Sequence, residues 1–456
     1  MIEHRLDPAT LDEQGIRTVI IASPDLSGRL FGRRVPAERF SHVIENGVNV
    51  SSCVFAWGVT QGTELIDSNA FAYTGMHNGI PDVTLRVDVS TLRRAAWLDG
   101  VAICFADPVD VVSGKPLAIS PRVLLKQELA RHADLGFAPK TGTELEFYLF
   151  LNSQRQLRDD GFRGLVPSTA MSADFMIDEG NTYEPFFQKL RRDLAASGVE
   201  MEAAQSEHGK GQWEMTFVYG DPLEMADRHA LYKMAVRDSA QAAGMTATFM
   251  ARPLNDEPGS SCHVHVSFQS HDGDMLFWDS TADDNMSQLM RSAMGGLLHH
   301  SPEFMAWYAP TINSWRRSTS KDVAGWGRTW GFDNRTVTAR VLGHQPKHLR
   351  LEFRLPGADT NPYLNLAALL ASLRSGIESG CGVGAPHPGN AYDLPRDEGM
   401  PTNLYEAVQL FRQSELAQST FGHDIVQHHA ILLEHEWSEF LSEVSSWDLN
   451  RYFERI

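Results

Sequence analysis

Residues 143–149 of the 456-residue chain read TELEFYL, and this short stretch points to the fold class. Successive side chains of a β-strand alternate between two faces, so Glu144 and Glu146 share one face while Leu145 and Phe147 share the other. Two carboxylates held this close repel each other unless a cation neutralises them. The stretch therefore predicts a sheet with an apolar back and an acidic front.

Three other segments place polar or charged side chains on one strand face or around one turn: 207–214 (EHGKGQWE), 263–267 (HVHVS) and 350–354 (RLEFR). Each segment alone is compatible with an ordinary solvated sheet face. Together, their carboxylates, imidazoles and arginines predict a site for hard divalent cations, Mg²⁺ or Mn²⁺ rather than Zn²⁺, and for an anionic substrate. Metal, phosphate and arginine indicate phosphoryl transfer, and the absence of a G-x-x-x-x-G-K-[ST] sequence predicts another nucleotide-binding architecture.

The composition excludes several function classes. Asp and Glu number 58 against 40 Lys and Arg, giving a net charge of −18 that argues against nucleic acid or an anionic membrane surface as a partner. No secretory signal and no apolar run of membrane-spanning length is present in the sequence, so no membrane association is predicted. The four cysteines lie far apart without a C-x-x-C motif, which predicts a cytoplasmic protein with reduced thiols.

The order of elements predicts an α+β protein with two domains, residues 1–110 and 111–456. The first is predicted to be small and rich in strands, including residues 18–22 and 101–106, with one helix at 37–45. In the second, we predict helices at residues 121–133, 183–196, 224–244, 287–299, 363–378 and 404–418. Residues 314–334 show neither helical nor strand periodicity and are predicted to form a long functional loop.

The motifs, in this order, resemble those of the glutamine synthetase family over nearly the whole chain. They are E-x-E, E-x6-E with GQWE, G-S-x-x-H-x-H-x-S, N-S-x-x-R, R-x-E-x-R and the segment NPYLNLAALLASL. The resemblance implies a small N-terminal β-grasp-like domain and a catalytic domain whose curved antiparallel sheet forms a half-barrel surrounded by helices. It also implies a homo-oligomer, commonly a dodecamer of two stacked hexameric rings, with active sites between subunits.

The same resemblance implies a role for each motif residue. Two or three Mg²⁺ or Mn²⁺ ions per site are implied, one bound by Glu146, Glu207 and Glu214 and another by Glu144, His263 and Glu352. The residues implied to bind L-glutamate are Arg317, Arg354 and the backbone of Gly259. Those implied to lie near ATP are His265, Ser267, Arg335, Arg340 and Arg350, with Arg317, Arg335 and Arg340 as catalytic residues. The implied reaction makes γ-glutamyl phosphate from ATP and glutamate, and an amine then displaces phosphate.

Departures from the family pattern bear on the amine. The two acidic positions that serve ammonium in glutamine synthetases fall at Ser51 and Val323, although Asp322 adjoins the latter. A cation would bind poorly there without a counter-charge. The pattern resembles that of γ-glutamyl ligases acting on polyamines, ethanolamine, alkylamines or anilines. With Trp57 and Trp326 as further pocket walls, a monoamine or arylamine is favoured over a polyamine, unless Glu64 or Asp67 supplies an acid.

Three alternatives remain open at this stage: an ordinary glutamine synthetase using ammonia, a non-catalytic structural or regulatory relative, and a kinase of the same fold. Two further departures concern single positions. Pro258 replaces the Asn usual before the G-S pair, which puts the glutamate-shielding loop in doubt. Tyr392, in NAYDLP, matches the segment that carries a modified tyrosine in bacterial glutamine synthetases, and an unmodified surface loop is the other interpretation.

Overall fold

The computed structural model describes residues 5–318 and 326–456, which form two sheets and a set of surrounding helices. The first sheet comes from the N-terminal part of the chain. Its strands are β1 (Thr18–Pro24), β2 (Leu30–Pro36), β3 (Val48–Ser51), β4 (Asp82–Val87), β5 (Arg93–Arg94) and β6 (Val101–Asp110). Their order is β2-β1-β6-β4-β3, with β5 also paired to β6, and β1 runs parallel to β6. Both predicted strands are therefore confirmed.

The second sheet carries the polar motifs. Its strands are β7 (Phe137–Phe150), β8 (Met201–Ser206), β9 (Gln212–Phe217), β10 (Thr246–Thr248), β11 (Cys262–Ser270), β12 (Trp330–Phe332), β13 (Ala339–Leu342) and β14 (Arg350–Phe353). The order is β12-β13-β14-β11-β7-β9-β8, with β10 paired to β7. Every pair is antiparallel except β12 with β13. Residues 1–110 and 111–456 thus contribute separate sheets, and we propose a domain boundary near residue 110.

Helices cover these sheets. They are α1 (Phe40–Asn46), α2 (Glu64–Asp67), α3 (Pro121–Asp134), α4 (Gln154–Asp159), α5 (Ile177–Asn181), α6 (Glu184–Ala196), α7 (Pro222–Ala242), α8 (Gln288–His300), α9 (Met305–Tyr308), α10 (Ile312–Ser318), α11 (Pro362–Ser379), α12 (Leu404–Gln413), α13 (Glu415–Phe421), α14 (His423–Ser442) and α15 (Ser446–Tyr452). The α+β prediction is confirmed. In the described part of the chain, no helix has the length and apolar character required to cross a bilayer.

The apolar back of the second sheet forms the centre of the core. Leu145, Phe147, Val264 and Phe353 are fully buried there, as strand alternation predicts. The central helix α11 is buried along nearly its whole length and begins at Asn361, whose side-chain oxygen accepts hydrogen bonds from the first turn. The amide of the same side chain donates to the carbonyls of Asp25 and Leu26, which ties the N-terminal sheet to the core.

Two predictions of secondary structure are wrong in part. The helix predicted over residues 404–418 is interrupted at Ser414, whose extended backbone ends α12 and whose hydroxyl caps α13 by accepting from the amide of Ala417. The loop predicted over residues 314–334 includes the end of α10 and all of β12. Both elements are too short to show a period in the sequence and are stabilised by tertiary contacts, such as the burial of Trp315 and Trp330.

Candidate active site

The registers of five neighbouring strands bring the polar motifs together on one sheet face. Glu144 lies directly opposite His263 on β11, and Glu146 lies opposite Glu214 on β9. Glu352 on β14 lies between His265 on one side and Arg340 on the other. Because directly opposed residues project to the same face, side chains from five separate strands form one continuous surface.

Two groups on this surface have the geometry of a metal site. Ligand atoms of Glu144, His263 and Glu352 lie within 4.8 Å of one another, and so do those of Glu146, Glu214 and His263. His263 therefore belongs to both groups. Its pKa is lowered by burial and by the charge of Arg354, which favours the neutral imidazole, the form that binds a metal.

Glu207 lies outside both groups, although the family resemblance implies that it binds a metal together with Glu146 and Glu214. Its carboxylate is connected to the site through Gln205, whose amide nitrogen donates to Glu207 (3.0 Å) and to Glu214 (2.9 Å). Burial and the charge of Glu146 raise the pKa of Glu207 to about 8. Burial and the charge of Glu144 raise the pKa of Glu214 well above its usual range. The described residues do not neutralise these acids, which is the electrostatic signature of a cation site.

Glu144 and Glu352 have protein partners. Although burial raises the pKa of Glu144, hydrogen bonds with His263 and His265 hold it far below its ordinary value. Burial raises the pKa of Glu352, but the charges of Arg354, His263 and His265 together lower it to about 2. Glu352 also forms an ion pair with Arg340 (3.0 Å). The two carboxylates remain charged near neutral pH, as ligands of Mg²⁺ or Mn²⁺ must.

His265 is fixed by a chain of hydrogen bonds. Its Nε2 lies 2.8 Å from a carboxylate oxygen of Glu144, and its Nδ1 accepts from Nε of Arg350 at 3.1 Å. The predicted Ser267 lies two residues further along the same face of β11, opposite Lys140. Arg335 is exposed between β12 and β13, where it lines an open cavity together with Arg340. The predicted nucleotide residues thus lie on β11, β13 and β14 and in the connection between β12 and β13, and His265 contacts the acidic groups directly.

Arg317 and Gly259, predicted to bind glutamate, are in direct contact. Arg317 is only 2% exposed, and its guanidinium donates to the carbonyl of Leu355 and to the hydroxyl of Ser261, each at 2.8 Å. A Cβ atom at Gly259 would lie 2.6 Å from Cγ of Arg317, so only glycine fits at this position. Arg354 lies beside them, paired with Glu352.

The structure does not bring the residues predicted for the amine pocket together within the described part of the chain. Val323 and Asp322 lie outside the described residues. Trp326 packs edge-on against Trp315, with ring centroids 5.5 Å apart, and its indole nitrogen donates to the carbonyl of Pro401. Ser51 lies on β3, an edge strand of the first sheet, and accepts from the amide of Cys53. Trp57 lines a cavity that shares no residue with the acidic face.

The two glutamines of the site were not assigned a role from the sequence. Gln212 donates to Glu146 at 2.8 Å, and the same carboxylate oxygen accepts from the amide of Ser261 at 2.9 Å. Strand alternation does place Gln212 on the face of Glu214, so that signal was available. The bridging position of Gln205 depends on its register opposite Glu214, which the sequence does not reveal.

Comparisons with known proteins agree with this geometry. The sequence profile of the glutamine synthetase catalytic domain matches residues 118–452. The chain is 37% identical over 442 residues to a γ-glutamylethanolamide synthetase of Streptomyces coelicolor, covering 97% of this chain and 93% of the relative. It is 34% identical over 449 residues to a glutamate–isopropylamine ligase of a Pseudomonas species, covering 98% and 97%. The solved ADP complex of GmaS superposes with a TM-score of 0.83 at 27% identity, covering 98% of this chain and 99% of that one.

Proposed function

This chain belongs to the glutamine synthetase family, and on that premise we propose that it is an ATP-dependent ligase joining the γ-carboxylate of L-glutamate to a small organic amine. The predicted family and fold are confirmed by the profile match and the superposition. The observation that carries the proposal is the shared imidazole of His263 between two carboxylate groups, with Arg340 and Arg354 beside them. Such a surface binds cations and the anionic groups of two substrates.

We assign the carboxylates of the two groups to divalent cations, Mg²⁺ or Mn²⁺. Such cations, when bound, neutralise these acids and draw charge from the phosphoryl oxygens. Arg335, Arg340 and Arg350 bind the phosphates of ATP, while Arg317 and Arg354 bind the carboxylates of glutamate. A γ-carboxylate oxygen of glutamate forms a bond to the γ-phosphorus of ATP as the bond to ADP breaks.

The second step forms the amide. The amine nitrogen attacks the carbonyl carbon of γ-glutamyl phosphate, the carbon–oxygen bond to phosphate breaks, and the nitrogen loses a proton. The acyl phosphate is required because a carboxylate is a poor electrophile. The arginines that bind the two substrates hold the reacting groups together.

We propose a short monoamine as the second substrate. The family positions that serve ammonium carry Ser51 and Val323 here, so the counter-charge for ammonium is lost. The names of the two relatives refer to ethanolamine and isopropylamine, both monoamines of two or three carbons. A short, uncharged substituent requires no second acid in the pocket, whereas a polyamine does.

The test measures phosphate release with ATP, Mg²⁺ and L-glutamate against ammonium, ethanolamine, isopropylamine, putrescine, spermine and aniline, with products identified by mass. We expect one short monoamine to give a kcat/KM at least about tenfold above that for ammonium. Glu352→Gln is the inactive control. If ammonium were the only compound to support phosphate release, the chain would be a glutamine synthetase. If none of the six compounds supported release, the proposal would be refuted altogether.

We also propose a ring-shaped homo-oligomer, with two stacked hexamers as the expected form. The C-terminal segment supports association, because Leu441, Val444, Trp447 and Phe453 are all more than half exposed. Light scattering after size-exclusion chromatography tests the assembly, and a monomer would refute it.

The four cysteines are free thiols, in keeping with a cytoplasmic location.

Tyr392 lies in a 3₁₀ turn and is 38% exposed, which is compatible with either interpretation of this segment. Its modification stays a prediction. The intact mass of the protein from its native source tests it.

A further inference from the structure

A second cavity, of about 660 Å³, shares no lining residue with the acidic sheet face. Seven parts of the chain form its walls: residues 26–30, residues 57–59, helix α7, residues 248–250, residues 310–316, Asp359 and helix α14. Its volume lies within the range of sites for small organic molecules. The ligase reaction proposed above does not use it.

Three cations line this cavity without a carboxylate partner. Arg29 donates from its side chain to the carbonyl of Val59, and Lys233 donates to the carbonyl of Ala358 at 2.7 Å. Over residues 5–318 and 326–456, neither side chain forms an ion pair, and the guanidinium of Arg237 forms neither an ion pair nor a hydrogen bond. Placing several cations without ion-pair partners in a partly desolvated site costs free energy.

One aromatic ring holds two of these cations. Nζ of Lys233 and Cζ of Arg237 each lie 5.3 Å from the centre of the Phe249 ring. The ring attracts both groups electrostatically, although it cannot neutralise them. Burial lowers the pKa of Lys233 to about 7, and burial together with the charge of Arg29 lowers the pKa of Arg237.

The acids of the cavity wall form no ion pair with these cations among the described residues, although the charge of Asp359 acts on Lys233 and that of Asp238 on Arg237. Asp238 accepts from the indole nitrogen of Trp97 at 3.0 Å. Asp359 accepts from the hydroxyls of Thr311 and Ser314, at 2.7 and 2.6 Å. Burial and the charge of Glu439 raise the pKa of Glu436, on α14, which makes it a weak source of negative charge.

The rest of the wall is apolar. Leu30, Trp57, Met234, Leu432 and Leu433 all line the cavity. An occupant must therefore combine an anionic group, which compensates the three cations, with an apolar or aromatic body. Glutamate lacks such a body, and none of the residues predicted to bind ATP or glutamate lines this cavity, so it is separate from the site proposed for the ligase substrates.

We propose that this cavity binds a small organic carboxylate with an apolar or aromatic body. Its carboxylate pairs with Arg237 and Lys233, and Arg29 adds to the positive field. Helix α10 gives the cavity a route to the ligase site, because Ile312 and Asn313 line the cavity while Arg317 of the same helix contacts Gly259. A ligand in the cavity can therefore act as an effector of glutamate binding.

Calorimetric titration with 3-phenylpropionate tests the proposal, with the neutral 3-phenylpropionamide as the matched ligand. We expect one site per chain with a Kd below about 1 mM, and at least about tenfold weaker binding of the amide. Arg237→Gln should weaken the carboxylate at least about tenfold while leaving ligase turnover and the melting temperature unchanged. Arg155→Gln, which removes an exposed cation of α4, is the matched control and should bind as the wild type does.

Lys233→Met provides a second variant, and Arg237→Gln decides the matter if Lys233→Met does not fold. Equal affinity of acid and amide, equal affinity in Arg237→Gln and wild type, or no heat at millimolar probe would each overturn the proposal. The titrations contain no ATP, glutamate or amine. If the protein binds 3-phenylpropionate but shows no ligase turnover, only the proposed function is overturned. If it shows ligase turnover but does not bind 3-phenylpropionate, only the proposed ligand site is overturned.

Discussion

Substituting alanine for Gly259 adds one methyl group at a point where the site has no room for it. The new Cβ would lie 2.6 Å from Cγ of Arg317 and 2.6 Å from the backbone oxygen of Ala251. Relaxed contacts of this kind are roughly 0.8 Å longer or more. The oxygen of Ala251 is held in place by the amide of Ser260 at 2.7 Å, so the arginine must move.

The cost follows from what Arg317 would lose. A displacement of that size stretches its two 2.8 Å hydrogen bonds, to Leu355 and Ser261, beyond the bonding range. Each bond of a charged group contributes about 1.5–3 kcal/mol, and overpacking adds about 1–3 kcal/mol. We expect about 3 kcal/mol of this to appear as lost transition-state stabilisation, a decrease of about 100-fold in kcat/KM for glutamate.

The assay is steady-state phosphate release with glutamate and ATP varied separately. The KM for glutamate should rise while the KM for ATP changes little, since the nucleotide residues lie along another part of the face. Gly384→Ala is the matched control, because a Cβ there meets nothing within 4 Å. A Gly259→Ala enzyme with glutamate kinetics within about threefold of the wild type would show that the placement of Arg317 does not govern glutamate binding.

Three further predictions concern the metal groups, the amine and acid stability. Glu352→Ala should abolish ATP turnover, because it removes a metal ligand and the ion-pair partner of Arg354, whereas Arg340 keeps its ion pair with Asp333. Retained turnover in folded protein would refute the metal assignment. Val323→Glu should increase the use of ammonium relative to isopropylamine, and an unchanged ratio would contradict the assignment of that position. Burial lowers the pKa of His428 to about 4, so on acidification the unfolded chain binds a proton at this residue before the folded protein does. The free energy of unfolding should therefore fall by up to about 3 kcal/mol as the pH drops from 6.5 to 4. The acid-induced loss of melting temperature should be smaller in His428→Gln, and an equal loss would refute the linkage.

The acidic face was predictable because strand alternation is a local property. The pairs Glu144 with Glu146 and His263 with His265 reveal their face within three residues of sequence. The grouping across strands was harder, since the sequence does not specify register. His263 belongs to both candidate metal groups and Glu207 to neither, and both facts depend on which residues oppose one another in β7, β9 and β11.

The second cavity could not be predicted for a related reason. Arg29, Lys233 and Leu432 come from parts of the chain about 200 residues apart, and none belongs to a recognisable motif. The short helix α10 was missed because its buried residues Trp315 and Arg317 are held by tertiary contacts rather than by a helical period. Local pattern therefore predicts what one strand presents, and packing determines what several elements build together.

The charge balance of the acidic face indicates the order in which the site is filled. The face carries the carboxylates of Glu144, Glu146, Glu207, Glu214 and Glu352 against the guanidinium groups of Arg340 and Arg354. These acids are concentrated at the two metal groups, whereas Arg317, Arg335 and Arg350 lie outside the groups, so the groups themselves repel the phosphates of ATP and the carboxylates of glutamate. Divalent cations bound at these groups, as proposed above, would offset this charge, so the surface would accept the anionic substrates after the cations bind. The high pKa of Glu207 and Glu214 follows from the same imbalance, because protons take the place of the cations when no metal is bound.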